Sequence, residues 1–243
     1  MRILKTPTAT QAPAEAEACG PADCVDAPAL PAARGRGRPR KRPEERDDGN
    51  RRQALLRSAA RLFRLQGFAA TSTRDIAAAA GMQSGSPFYH FESKQALLGA
   101  VMLEGMQRAL AAQAAALAAA ASVHAEPTPR QTLRALVRNH LEVLLGPESD
   151  FIPVMLYEWR SLSPQQRLAV NALRREYEAV WVPVLQALFA ARMLRGDPSL
   201  ARLMIFGALN WAVQWFDPAG RASLDELTEA ALDLFLQEPL DER

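Results

Sequence analysis

The chain has 243 residues, 49% apolar and 23% charged, an ordinary balance for a globular protein with room for a substantial core. No apolar run reaches the roughly 20 residues that a membrane-spanning helix needs, and the N-terminus lacks the apolar stretch of a signal peptide, so a cytoplasmic protein without a membrane partner is expected. The net charge of +2 is unevenly placed: residues 34–50 hold seven Lys/Arg against four Asp/Glu, residues 51–98 seven against two, and residues 126–243 twelve against sixteen. The end that gathers positive charge is the end expected to meet phosphates.

Residues 1–33 are rich in Ala, Pro and Thr with no helical or strand period, which predicts a disordered leader. It holds both cysteines, Cys19 and Cys24, with no His or further Cys nearby to complete a four-ligand metal site, so no metal is expected. A basic arm follows over residues 34–50, in which six positive charges fall within nine residues from Arg34 to Arg42. Two readings fit it. One is a solvated linker that adds non-specific attraction to phosphate. The other is a minor-groove arm, in which Gly37 lets the backbone approach, Pro39 keeps the chain extended, and Arg36, Arg38 and Arg40 enter a narrow groove. The Gly-Arg-Pro core between basic residues resembles an AT-hook.

From Arg51 the period becomes helical, with Leu55, Leu56, Ala59, Leu62 and Phe63 on one face, and Gly67 is the natural stop for a helix over 51–66. Thr71 and Thr73 are each able to cap a second helix over about 73–80, with Asp75 in its first turn and Gly81 making the turn after it. A third helix is predicted over 84–90, with Pro87 tolerated in its first turn. Its Gln83, Ser84, Gly85, Ser86, Phe88, Tyr89 and His90 are a poor choice for a buried helix. Hydroxyl and amide groups can read base edges or phosphate, and aromatic rings can pack on sugar or a thymine methyl. Phe91 belongs to the small core, and Ser93 caps the next helix with Lys94 beside it, placed to contact a phosphate.

Residues 51–98 resemble the DNA-binding domain of TetR-family regulators. The resemblance is carried in order by Leu62-Phe63, Gly67, Thr71, Ile76-Ala77, Ala80-Gly81, Phe88-Tyr89-His90-Phe91, Ser93-Lys94 and Leu97. Two positions depart from it: the family commonly has Tyr where Phe88 stands and an aliphatic residue where Pro87 stands. The resemblance implies an all-α fold of about nine helices, with a three-helix helix-turn-helix head joined by a fourth helix to a larger body over 99–243. It also implies binding to double-stranded DNA as a homodimer, through the last two helices.

Helical spacing continues through the body. A long Ala/Leu helix runs from Ser93 to about Ser122, and a helix with Leu133, Leu136, Val137, His140, Leu141 and Leu144 on its apolar side comes next. Another spans Phe151 to Arg160. A single helix from Ser163 to Gly196 then passes Pro183, one begins near Pro198, and one covers 223–236. Tyr157-Glu158-Trp159-Arg160, Leu162-Ser163-Pro164 and Gly207-Ala208-Leu209-Asn210-Trp211 up to Trp215 resemble the subgroup of these regulators that responds to acyl-coenzyme A thioesters. That resemblance implies an apolar effector cavity in the body touching Met155, Trp159, Arg160, Arg175, Trp211 and Trp215, with Arg160, Arg174 or Arg175 meeting phosphate or the adenine nucleotide. The same tryptophans also suit plain core or interface anchors, with the arginines solvated.

No Gly-rich phosphate loop, metal-ligand set or nucleophile motif stands in a recognisable context, so neither catalytic residues nor a cofactor are expected. Two functions remain: a ligand-responsive repressor on a palindromic operator, or an architectural DNA-binding protein without small-molecule control.

Overall fold

In the computed structural model, which describes residues 48–82, 87–124, 126–147 and 149–237, ten α-helices follow one another with no β-ladder among the described residues. The leader, residues 34–47 of the basic arm, and Gln83, Ser84, Gly85 and Ser86 lie outside them. The described residues belong to one compact unit.

Helix α1 (Asp48–Ala70) buries Leu55, Leu56, Ala59 and Phe63 of the stripe read from the sequence, with Ala60 beside them and Leu62 half-buried against the same core. Gly67 leaves the helical conformation at φ +82° and ψ 160°, so the regular helix stops there and the last residues turn away. Helix α2 (Thr73–Ala79) is capped by Ser72, not by Thr71 or Thr73. The Ser72 hydroxyl accepts from the Asp75 backbone N–H while the Asp75 carboxylate accepts from the Ser72 N–H. Gly81, at φ +68°, ends α2: its N–H reaches the Ala78 carbonyl, and the Met82 N–H reaches the Ala77 carbonyl. These paired bonds satisfy carbonyls that the helix end leaves open. Helix α3 (Pro87–His90) and helix α4 (Lys94–Val123) follow, α4 being capped by Ser93. At 30 residues α4 is about 45 Å long. Its buried residues, from Leu97 to Gln113, crowd into its first two thirds.

The body comprises α5 (Pro129–Leu145), α6 (Phe151–Glu158), α7 (Pro164–Ala179), α8 (Trp181–Ala190), α9 (Pro198–Trp211) and α10 (Leu224–Phe235). The helix expected from Ser163 to Gly196, with a kink at Pro183, is two helices, α7 and α8. Pro183 has no N–H, and its ring would meet the carbonyl of Ala179, so the chain breaks there and leaves Pro183 in the first turn of α8, where no donor is needed. Two apolar clusters hold the unit together. The first joins α1, α2, α4, α6 and α7, so the helix-turn-helix head shares a core with the body. The second joins α5, α8, α9 and α10 around Trp181. Along the outside of α5 and α10, Arg130, Arg134 and Arg138 face Asp233, Glu229 and Asp225, an antiparallel register read directly from the pairing. Among the described residues no helix is long and apolar enough to cross a membrane.

Candidate DNA-binding head and effector cavity

In the head, Tyr89 is the most exposed described residue of α3, 73% open to solvent, and its ring meets His90 edge-on with centroids 5.1 Å apart. Phe91 is buried in the core as its sequence position suggests, with the Arg52 guanidinium 5.3 Å above its ring. Thr73 sits half-buried in the first turn of α2. Two residues expected at the DNA surface are engaged elsewhere. Thr71 is buried and its hydroxyl donates to the Gly67 carbonyl at 2.7 Å, which fixes the chain after the break in α1. The Lys94 ammonium donates to the Phe68 and Thr71 carbonyls at 2.7 and 2.8 Å and lies 4.3 Å from the centroid of the Phe68 ring. It neutralises the carbonyl end of α1, where a cation is favoured, and ties α4 to the α1–α2 joint.

The same joint is held from the body. Glu158, the last residue of α6, accepts the Phe68 N–H at 2.8 Å and the Ser161 hydroxyl at 2.8 Å. At the other end of α6, Asp150 pairs with Arg64 at 3.0 Å. Helix α6 is therefore fastened to α1 at both of its ends. Nearby, Gln95 of α4 donates to the Ser161 carbonyl and to Gln166 Oε1, and Gln166 returns a bond to the Gln95 carbonyl.

The middle of α6 faces a cavity of about 50 Å³ lined by Met106 and Ala109 of α4, His140 and Val143 of α5, Ile152 and Met155 of α6, Arg174, Tyr177 and Glu178 of α7, and Phe206 and Asn210 of α9. A volume of this size admits water-sized molecules and not an acyl chain. His140 touches Tyr177 Oη at 3.2 Å through Nδ1 and Asn210 Oδ1 at 3.1 Å through Nε2. Burial lowers its pKa to about 4 and raises that of Tyr177, so both are neutral at neutral pH.

Of the six residues expected to touch an effector, only Met155 lines this cavity. Arg160 and Arg175 are exposed, and Trp159 packs under the Arg174 guanidinium at 5.8 Å. Trp211 and Trp215 are 65% and 56% exposed. Trp211 misses the cavity because the turn of α9 that faces it carries Phe206 and Asn210, which puts Trp211 on another side of the same helix, and Trp215 lies beyond the end of α9. Arg174, one of the three arginines considered for the effector's phosphate, lines the cavity, whereas Asn210, Tyr177 and Glu178 were given no such role from the sequence. His140 carried a signal, a titratable residue in the middle of an apolar helix face. Glu158 stood inside a quoted motif without a role, because a hydrogen bond to a backbone N–H 90 residues away leaves no trace in local spacing.

A three-helix head with a helix-turn-helix, fused through a shared core to a helical body that holds a cavity, is the build of a DNA-binding regulator. The sequence pattern of "Bacterial regulatory proteins, tetR family" matches residues 55–101, and that of the "Tetracyclin repressor-like, C-terminal domain" matches residues 126–238. Over 197 residues the chain is 30% identical to the HTH-type transcriptional repressor KstR2 of Rhodococcus jostii, covering 76% of this chain and 89% of that one. Among solved structures it is similar to superantigen PfiT, 41% identical with a TM-score of 0.63 over 77% of this chain and 96% of that one. It is also similar to AibR in complex with isovaleryl coenzyme A and operator DNA, 25% identical with a TM-score of 0.66 over 76% and 97%. The chain belongs to the TetR family of bacterial regulatory proteins, a family of transcriptional regulators and not of enzymes.

Proposed function

We propose that the protein is a homodimeric transcriptional repressor that holds a two-fold operator through two heads and lets go when a small apolar or acyl-coenzyme A effector enters the body. The observation that carries this reading is the double role of α6. Its Ile152 and Met155 wall the cavity, while Asp150 and Glu158 at its ends hold α1 of the head. A molecule larger than the cavity fits only if its walls move, and α1 is attached to one of them. Such an effector prefers the opened state and weakens operator binding by no more than that preference. The similarity to AibR, described with isovaleryl coenzyme A and operator DNA, supports the effector class.

Residues 51–98 act as the DNA-binding part, 99–243 as the effector and dimer part, and 34–50 as an arm along the duplex behind the leader of residues 1–33. Tyr89 and His90, with Phe88 and the segment Gln83–Ser86, read the major groove, and dimer symmetry sets two such helices roughly 34 to 36 Å apart. The dimer face is α9 with α10. Leu200, Leu203, Met204, Trp211 and Leu234 are all more than half exposed, apolar side chains that a second copy of the chain would cover.

The small size of the cavity favours a second reading, a DNA-binding protein without small-molecule control. Genomic fragments selected by the full-length protein, titrated with and without isovaleryl-coenzyme A and longer acyl thioesters, separate the two. Release of the operator by any of them supports the repressor. Unchanged affinity with all of them, and no small molecule recovered by mass spectrometry from natively isolated protein, supports the second reading.

A further inference from the structure

The two ends of the cavity differ in chemistry. At the exposed rim, Arg174 and Arg202 share one carboxylate, that of Glu178. The inner end holds no ionised group. There Asn210 Oδ1 can only accept, so His140 Nε2 carries the ring proton, Nδ1 is left as the acceptor, and the Tyr177 hydroxyl is the donor to it. Every bond in the row then points the same way, from Tyr177 through His140 to Asn210. The row ends on the amide N–H groups of Asn210, and bonds aligned in this way polarise one another. Burial keeps the His140 ring neutral, so it supplies no cation to an acid beside it.

Ala109, Val143 and Ile152 line the cavity and also line an outer groove of about 330 Å³ between α4, α5 and the start of α6. These three side chains border both spaces, and none is aromatic or charged. A ligand too large for the cavity has these apolar side chains between it and the groove.

We propose that the effector is an apolar molecule carrying one uncharged oxygen acceptor, a ketone or ester-type carbonyl. Its oxygen takes a hydrogen bond from the Asn210 amide at the inner end, and its apolar body runs out between Ala109, Val143 and Ile152 into the outer groove. This rests on the reading of the cavity as the effector site. A carboxylate beside Asn210 would find no cation in His140, whose ring nitrogens are both committed to neutral partners, and Arg174 at the rim is already paired with Glu178. An ammonium would meet the donor end of the row.

The test uses full-length protein with three probes of one chain length, 2-decanone, decanoate and decylammonium, at neutral pH, read by tryptophan fluorescence and by the melting temperature. The ketone is expected to bind at least about tenfold more tightly than either ion, the equivalent of one well-made hydrogen bond. Asn210→Asp keeps the size of the side chain and its acceptor toward His140 but removes the amide donor, and it should abolish the ketone's advantage. Asn210→Leu should do the same if it folds. Decanoate binding as tightly as the ketone, or a ketone preference that survives Asn210→Asp, overturns the proposal. If no probe binds while isovaleryl-coenzyme A still releases the operator, this proposal fails and the effector reading stands. If neither the probes nor the thioester acts on the protein, the effector reading fails and takes this one with it.

Discussion

Replacing Glu158 by Ala removes two hydrogen bonds at once, from the Phe68 N–H and from the Ser161 hydroxyl, both at 2.8 Å. The first joins α6 to the bend in α1 at Gly67, where an N–H that loses Glu158 has only water to turn to. A bond to a charged acceptor is worth about 1.5 to 3 kcal/mol, so the loss of both, softened by water at a half-buried site, is expected to loosen the head on the body by about 2 kcal/mol. The Arg64–Asp150 pair at the other end of α6 does not replace it, because its side chains are 39% and 31% exposed and such a pair contributes at most about 1 kcal/mol. Operator affinity of the full-length protein, followed by fluorescence anisotropy, should fall about tenfold or more. Urea melts measured alongside show how much of the change is overall stability. Glu158→Gln keeps one acceptor at the same place and should lie between the two. If Glu158→Ala binds the operator like the parent and answers an effector equally well, the fastening of α6 to α1 is not part of the coupling.

Three further outcomes are expected. His140 has its pKa lowered to about 4 in the folded protein against 6.5 when unfolded, so the unfolded chain binds more protons between those values and stability falls as pH drops from 6.5 toward 4, by about 3 kcal/mol in all. Melting temperatures of the parent and of His140→Phe across that window should converge at low pH, and parallel curves would contradict the assignment. Trp211→Glu, on the exposed side of α9, should give a helical monomer in sedimentation velocity, and a dimer that persists would move the interface elsewhere. Lys94→Met should weaken operator binding yet leave its salt slope unchanged, since the ammonium is held by the Phe68 and Thr71 carbonyls. A slope lower by about 1 would restore Lys94 as a phosphate contact.

The reading from sequence was strongest where the physics is local. Helical spacing along α1, the stop at Gly67, the turn at Gly81 and the caps at Ser93 and Ser163 each depend on residues within a turn or two, and each stands in the structure. The basic end and the family could be read for the same reason, since both are carried by a contiguous stretch. Side-chain assignments fared worse where the deciding partner is distant. Thr71 and Lys94 look like surface contacts until the bend in α1 brings the carbonyls of Gly67, Phe68 and Thr71 within their reach. Trp211 looks like a pocket wall until the rotation of α9 is set by its packing against α5 and α8, which turns Asn210 and Phe206 inward instead. Length, charge and periodicity by themselves determined an all-helical chain with a basic helix-turn-helix. Which polar groups face one another across α5, α7 and α9, and that α6 both walls the cavity and holds the head, was decided only by the tertiary structure, because helix rotation is set by packing between segments far apart in the chain.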